Sequence, residues 1–258
     1  MGTSSRHPGS NDKSPLVPPH ADAEPEKPIP EALPKRFQQF RRKMGEFVKS
    51  GDSTSLNSGL RHYVNKATGG PAVGPRKFGS AYSAGGQLIS ALSALGGGQA
   101  IQVSEYETSV DIDLNSCIGK SIDEAIQILG DGLSPNGEES DKVRTAIVEA
   151  LSESLEDCEV FDVSILNEDI YTSTIIHFLS EILFIDICIE SGDAFGKATD
   201  SETLQAREIS LREIIFSSVD KHLSPYLTDG ISKLSRDQLK TIQLNAMKEV
   251  FLEWGDFE

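Results

Sequence analysis

Residues 170–189 read IYTSTIIHFLSEILFIDICI, a run made almost wholly of apolar or β-branched residues. It is too long for an ordinary strand, which spans about 5–6 residues. Just upstream, Asn167 offers a helix N-cap, and Glu168 and Asp169 place two acids in the first turn. Gly192, just past the run, is a natural stop. A helix apolar on nearly all sides either crosses a membrane or runs through the middle of a bundle. His177, Glu181 and Asp186 interrupt this one at depths where a lone charge in lipid costs about 3 kcal/mol. The bundle is therefore expected. The fold class that follows is mainly α: a helical bundle with a disordered Pro-rich N-terminal tail and little or no β structure.

Working outward, composition divides the 258 residues into three parts. Residues 1–33 are Pro-rich, with Leu16, Val17 and Leu33 almost their only large apolar side chains, too few to offset the entropy of ordering. A disordered leader is expected there. Residues 34–98 form a basic, Gly/Ala-rich helical segment, and residues 99–258 an acidic helical bundle. The whole chain carries a formal charge of −16, yet from Pro34 to Ser90 ten bases face only Glu46 and Asp52. A basic block inside an acidic chain either attracts the rest of the chain or faces an acidic or phosphate-bearing partner. Three cysteines without CxxC spacing, and no apolar leader, read as reduced thiols and a cytoplasmic location.

Helix signals recur along the chain. PKRFQQFRRKMGEFVK, residues 34–49, places Phe37, Phe40, Met44 and Phe47 at helical spacing with bases between them, and Pro34 suits its start. Asp52 or Ser53 opens a second helix through Leu56, Leu60 and Tyr63. A third runs from about Pro75 to Leu95, rich in glycine and alanine, as a helix needs for close approach of a neighbour. Ser121 opens a short helix to Leu129, and Val143–Leu155 repeats apolar residues every four positions. Between them, Ile101, Val103, Val110 and Ile112 read as short extended pieces or a linker. A long helix follows from about Glu202 to His222. Ser235 with Gln238 forms a capping-box start for the last helix, Leu239 to Trp254.

No catalytic constellation is visible. GGPAVGP at residues 69–75 lacks the GK[ST] ending and preceding strand of a phosphate loop. His177 and Glu181 share a helix face, which reads as a core histidine bonded to a glutamate, since no further ligand group has matching spacing. His62 reads as a surface residue and His222 as a helix-end cation. No metal, cofactor or enzymatic activity is expected. Bases interleaved with aromatics over residues 35–77 leave a nucleic-acid-binding module as the alternative reading.

MGTSS at residues 1–5, DKSPLVPPHAD at 12–22, RFQQFRRKMGEFV at 36–48 and YVNKATGGPAVGPRKFGSAYSAGGQL at 63–88 together resemble the QatB family of bacterial Qat anti-phage defence systems. The resemblance covers about residues 1–95. It implies a non-catalytic subunit of a defence complex, encoded beside a QatA-like P-loop ATPase, a QueC-like enzyme (QatC) and a TatD-like nuclease (QatD). It also implies that the N-terminal glycine is joined to a deazaguanine: Gly2 after loss of Met1, with Thr3, Ser4 and Ser5 as the recognition sequence. Arg6 departs from an all-serine start. Partner contacts are then expected from Arg36, Phe37, Phe40, Arg41, Arg42, Lys43, Arg61, Tyr63, Arg76, Lys77 and Phe78.

Overall fold

Asn167 caps the long apolar helix: its Oδ1 accepts from the backbone N–H groups of Asp169 at 3.0 Å and Ile170 at 3.1 Å. In the computed structural model, which describes residues 9–97, 113–137 and 139–258, that helix runs Glu168–Ser191. Eight α-helices occur among the described residues. They are α1 (Gln38–Ser50), α2 (Ser53–His62), α3 (Gly79–Gly96), α4 (Ile122–Leu133), α5 (Ser140–Ser154), α6 (Glu168–Ser191), α7 (Ser201–Leu223) and α8 (Arg236–Gly255). No strand is found among these residues, and an antiparallel bridge joins Ser121 to Val160. The helical class read from the sequence holds. Residues 98–112, with the extended pieces expected at Ile101–Ile112, lie outside the described residues, as does Glu138.

Local signals place most helix starts. Asp52 accepts from Thr54 and Ser55 N–H groups at 3.3 and 2.9 Å, opening α2. Ser235 and Gln238 exchange the two bonds of a capping box at 2.8 and 3.2 Å, opening α8. The exceptions have visible causes. α1 begins at Gln38 rather than Pro34, because Lys35 adopts a left-handed φ of 56° that a helix cannot continue through. Its N–H is held instead by the Asp12 carboxylate at 2.8 Å. α3 begins four residues after Pro75, since Gly74–Phe78 winds as a 3-10 turn. α4 runs through Gly130, where a halt was expected, and ends at Leu133.

The chain divides into two compact units that interleave along the sequence. One unit comprises Ser80–Ile182 and Val219–Gln243. Its centre is the N-terminal part of α6, where Ile175, Phe178, Leu179 and Ile182 are buried. The glycines of α3 serve the expected purpose. A Cβ built on Gly85 would lie 2.9 Å from Ile175 Cδ1 and 2.5 Å from Gln243 Oε1, so the α3 backbone sits directly against α6 and α8. Gln243 Nε2 then reaches the Tyr82 carbonyl at 3.0 Å.

The other unit comprises the chain up to Gly79, together with Leu183–Ser218 and Leu244–Glu258. An aromatic chain forms its core: Phe40 to Tyr63 at 5.2 Å, Tyr63 to Phe251 at 5.8 Å, and Phe251 to Trp254 at 6.4 Å between ring centroids. Trp254 Nε1 donates to Ser218 Oγ at 2.9 Å, satisfying a polar atom that burial would otherwise strand. α1 and α2 approach closely because Gly59 faces Met44, whose Sδ lies 2.9 Å from where a Cβ would stand.

Within the leader, residues 9–33 pack against the rest of this unit. That stretch forms a strap of turns and extended chain, with Leu16, Val17 and Ala21 buried and Leu16 and Val17 clustered with Val73. Composition understated it because its main fastenings are ionic and polar rather than apolar.

Residues Glu168–Lys197 are apolar and long enough to cross a membrane by composition, with mean hydropathy 1.6, yet 67% of that window is buried inside the protein. Asp186 in this run is paired, as described next.

Candidate functional site

Four of the ten bases in residues 35–77, Arg36, Arg41, Arg76 and Lys77, bond to other parts of the chain. Asp186 of α6 accepts from the Tyr63 hydroxyl at 2.6 Å and from Lys77 Nζ at 2.7 Å. One turn on, Glu190 lies 3.6 Å from Lys77 and accepts from the Ser10 N–H and hydroxyl at 2.9 and 2.7 Å. Arg41 closes the cluster, donating from Nε to the Glu190 carbonyl at 2.8 Å and from Nη2 to the Ser10 carbonyl at 2.6 Å. Asp186 and Glu190 are each 6% exposed. Burial works against the Lys77 ammonium, but the Asp186 and Glu190 carboxylates outweigh it and hold its pKa above the ordinary lysine value.

A second fastening lies along the strap. Arg76, 2% exposed, grips Asp22 with Nε at 2.9 Å and Nη2 at 2.6 Å. The same guanidinium caps the carbonyls of Lys27 at 2.9 Å and Pro28 at 3.1 Å. Its hydrogen bond holds the Asp22 carboxyl below the usual carboxylate range. Arg36 reaches the Ser14 carbonyl at 2.7 Å, and burial lowers its pKa against the pull of Glu190 and Asp12. Lys248 of α8 meets Glu24 at 3.0 Å.

The residues expected to contact a partner fall into different environments. Phe37, Phe40, Tyr63 and Phe78 are core side chains, each less than 5% exposed. Arg36, Arg41, Arg76 and Lys77 spend their donors on the chain's own strap and on α6. Of these four, Arg36 and Arg76 are buried and Arg41 and Lys77 half-buried. Of the expected set, Arg42, Lys43 and Arg61 keep exposed or half-buried positions. Gly2, Thr3, Ser4 and Ser5 lie outside the described residues. Sequence reasoning missed the other half of the site: Ser10, Asp22 and Glu190. One signal was available, since Asp186 and Glu190 stand four apart on one face of the most apolar helix and needed cations.

Among the described residues, no group of three or more His, Cys, Asp or Glu side chains is placed to hold a metal ion. His177 is half-buried; burial lowers its pKa against Glu153, Glu156 and Asp220. Cys117 is buried and its thiol is pushed up to about 11, and burial raises Cys188 further still. Neither thiol is activated as a nucleophile.

No curated protein and no solved structure matches the chain. A family profile does match, described as Qat anti-phage system associated protein QatB, over residues 69–253. The match shares residues 69–95 with the sequence motifs and extends across the helices that those motifs did not reach. It contains Arg76, Lys77, Asp186 and Glu190, the fixed half of both fastenings, while the strap and α1 lie before it. Spanning well over half of the sequence, this match places the chain in the QatB family of an anti-phage system.

Proposed function

We propose that the protein is a non-catalytic, cytoplasmic subunit of an anti-phage defence complex, which binds a QatA-like P-loop ATPase and is modified at Gly2 by a QueC-like QatC. QatD, a TatD-like nuclease, completes the set of partners. The family match over residues 69–253 carries this reading. The strap supports its N-terminal part. Among the described residues its anchoring begins at Ser10, held by Glu190 and Arg41. Thr3, Ser4 and Ser5 serve as the recognition sequence. The ATPase contact falls on side chains the fold leaves outward, among them Arg42, Lys43 and Arg61. A general nucleic-acid module is the weaker reading, because Arg36, Arg41, Arg76 and Lys77 are consumed within the chain.

The test is the intact mass of the full chain, expressed alone and together with its partner genes. A mass increment that maps to Gly2 after Met1 removal, and that Gly2→Ala abolishes, is the expected result. An unmodified Gly2 while defence is active would overturn the modification. Failure to co-purify the ATPase would overturn the complex.

A further inference from the structure

The strap is acidic where the chain beneath it is basic. Residues 9–33 hold Asp12, Asp22, Glu24, Glu26 and Glu31 against Lys13 and Lys27. The cations bonded to the strap are Arg36, Arg41, Arg76 and Lys248, and Glu190 is the acid among them. Lys77 and Asp186 stand beside Glu190 and pair with one another at 2.7 Å. Much of the grip is on the strap's main chain. Arginine donors reach the carbonyls of Ser10 at 2.6 Å, Ser14 at 2.7 Å, Lys27 at 2.9 Å and Pro28 at 3.1 Å. A two-pronged contact from Arg76 takes the Asp22 carboxylate. The apolar share is small, since the strap's buried apolar residues are Leu16, Val17 and Ala21.

Closure is costly at the junction with α1. Lys35 holds a left-handed φ of 56°, unfavourable for any residue with a Cβ, and its N–H is bonded to Asp12 of the strap. Next to it, Arg36 is 3% exposed, and its Nε has no hydrogen-bond partner among the described residues, a desolvation cost left unrecovered. Both costs fall away if the strap leaves. The Gln38 N–H already bonds the Lys35 carbonyl at 3.0 Å, and Pro34 suits a first helical position. With Asp12 gone, α1 can wind back to Pro34, Lys35 relaxes and Arg36 returns to water.

We infer that residues 9–33 are an autoinhibitory latch, hinged at Lys35, that covers a binding strip for an extended acidic segment of a partner protein. The strip is formed by Arg36, Arg41 and Arg76. The strap occupies it as such a segment would, through backbone carbonyls and a carboxylate. The carbonyl contacts favour a polypeptide over a nucleic-acid strand, which has no peptide backbone to offer. An acidic chain displaces the strap by competing for the same guanidinium groups. The latch is separate from the contact proposed at Arg42, Lys43 and Arg61, and it does not depend on the modification at Gly2.

The test compares the full-length protein with two variants. Asp12→Ala combined with Asp22→Ala removes fastenings of the strap and leaves the strip intact. Lys35→Gly accepts the left-handed turn without strain and favours closure. Amide exchange over residues 10–23 should quicken in the first and slow in the second, with exchange in α4 and α5 unchanged. The Lys35 Cα chemical shift should become helical in the first. Labelled poly-glutamate, at matched ionic strength, should bind the first about tenfold tighter than the unaltered protein, as when a binding-competent fraction rises from about a tenth to nearly all. It should bind Lys35→Gly more weakly, and Arg36→Gln added to the first variant should reduce the gain. Unchanged exchange in both variants overturns the latch. A strap that opens without any gain in poly-glutamate binding overturns the strip. A single-stranded oligonucleotide that gains as much as poly-glutamate overturns the partner class.

Discussion

Ser10 and Glu190, 180 residues apart in sequence, are joined by two hydrogen bonds, from the Ser10 N–H at 2.9 Å and its hydroxyl at 2.7 Å. The contact fastens the start of the strap to the last turn of α6. Glu190 is also one of the two carboxylates facing Lys77, so strap and core share a counter-ion. Replacing Glu190 with Gln keeps an acceptor for Ser10 but removes the charge. The expected outcome is a strap that opens more often, seen as faster amide exchange over residues 10–23 with α4 and α5 unchanged. Unaltered exchange there would show that Ser10 is held by Arg41 alone.

Arg76 concentrates the strap's fastening in one side chain. Arg76→Ala leaves Asp22 uncompensated in a site where both partners are under 7% exposed, and frees two carbonyls. Breaking a buried pair in this way costs about 3–5 kcal/mol. Arg76→Lys should recover little of it, because an ammonium cannot reproduce the two-pronged grip. Urea denaturation monitored by Trp254 fluorescence measures both changes.

Acid should loosen the strap for a related reason. Hydrogen bonding to Arg76 lowers the Asp22 pKa. Glu24 is lowered as well, burial being opposed and outweighed by Lys27 and Lys248. A carboxylate whose pKa falls on folding contributes stability that is complete above the unfolded value, about 4. That contribution is lost as pH drops through the lower folded value. Proteolysis within residues 22–33 should therefore rise between pH 4.5 and pH 3, and Asp22→Asn should flatten that rise.

Much of this fold was legible because local chemistry and the final structure agree. Asn167, Asp52 and Ser235 cap the helices they were expected to cap, and the long apolar run of α6 is the buried helix its length required. The contacts that join the leader to the basic block escape a sequence reading for one physical reason. Residues 9–33 hold few apolar side chains, so their ordering is invisible to a count of hydrophobic surface. The bases that order them, Arg36, Arg41 and Arg76, are the same ones that looked available to a partner. Pairings across 22 to 180 residues leave no periodic trace.

Asp186 offers the sharpest separation of charge from packing. It carries both the Tyr63 hydroxyl and the Lys77 ammonium, so Asp186→Ala removes the acceptor of the Tyr63 hydroxyl and leaves Lys77 with Glu190 alone. A loss of about 3–5 kcal/mol is expected. Tyr63→Phe removes one neutral donor to a charged acceptor and should cost about 1.5–3 kcal/mol. Replacing both charges, Lys77→Met with Asp186→Leu, leaves neither ion unpaired and should be markedly milder than Asp186→Ala alone. Glu190 keeps Ser10 and Arg41 as partners in that double variant. If the double variant is instead as unstable as the two single losses added together, Lys77 and Asp186 act independently. The buried pair would then not be the unit that holds α6 to the turn at Gly74–Phe78.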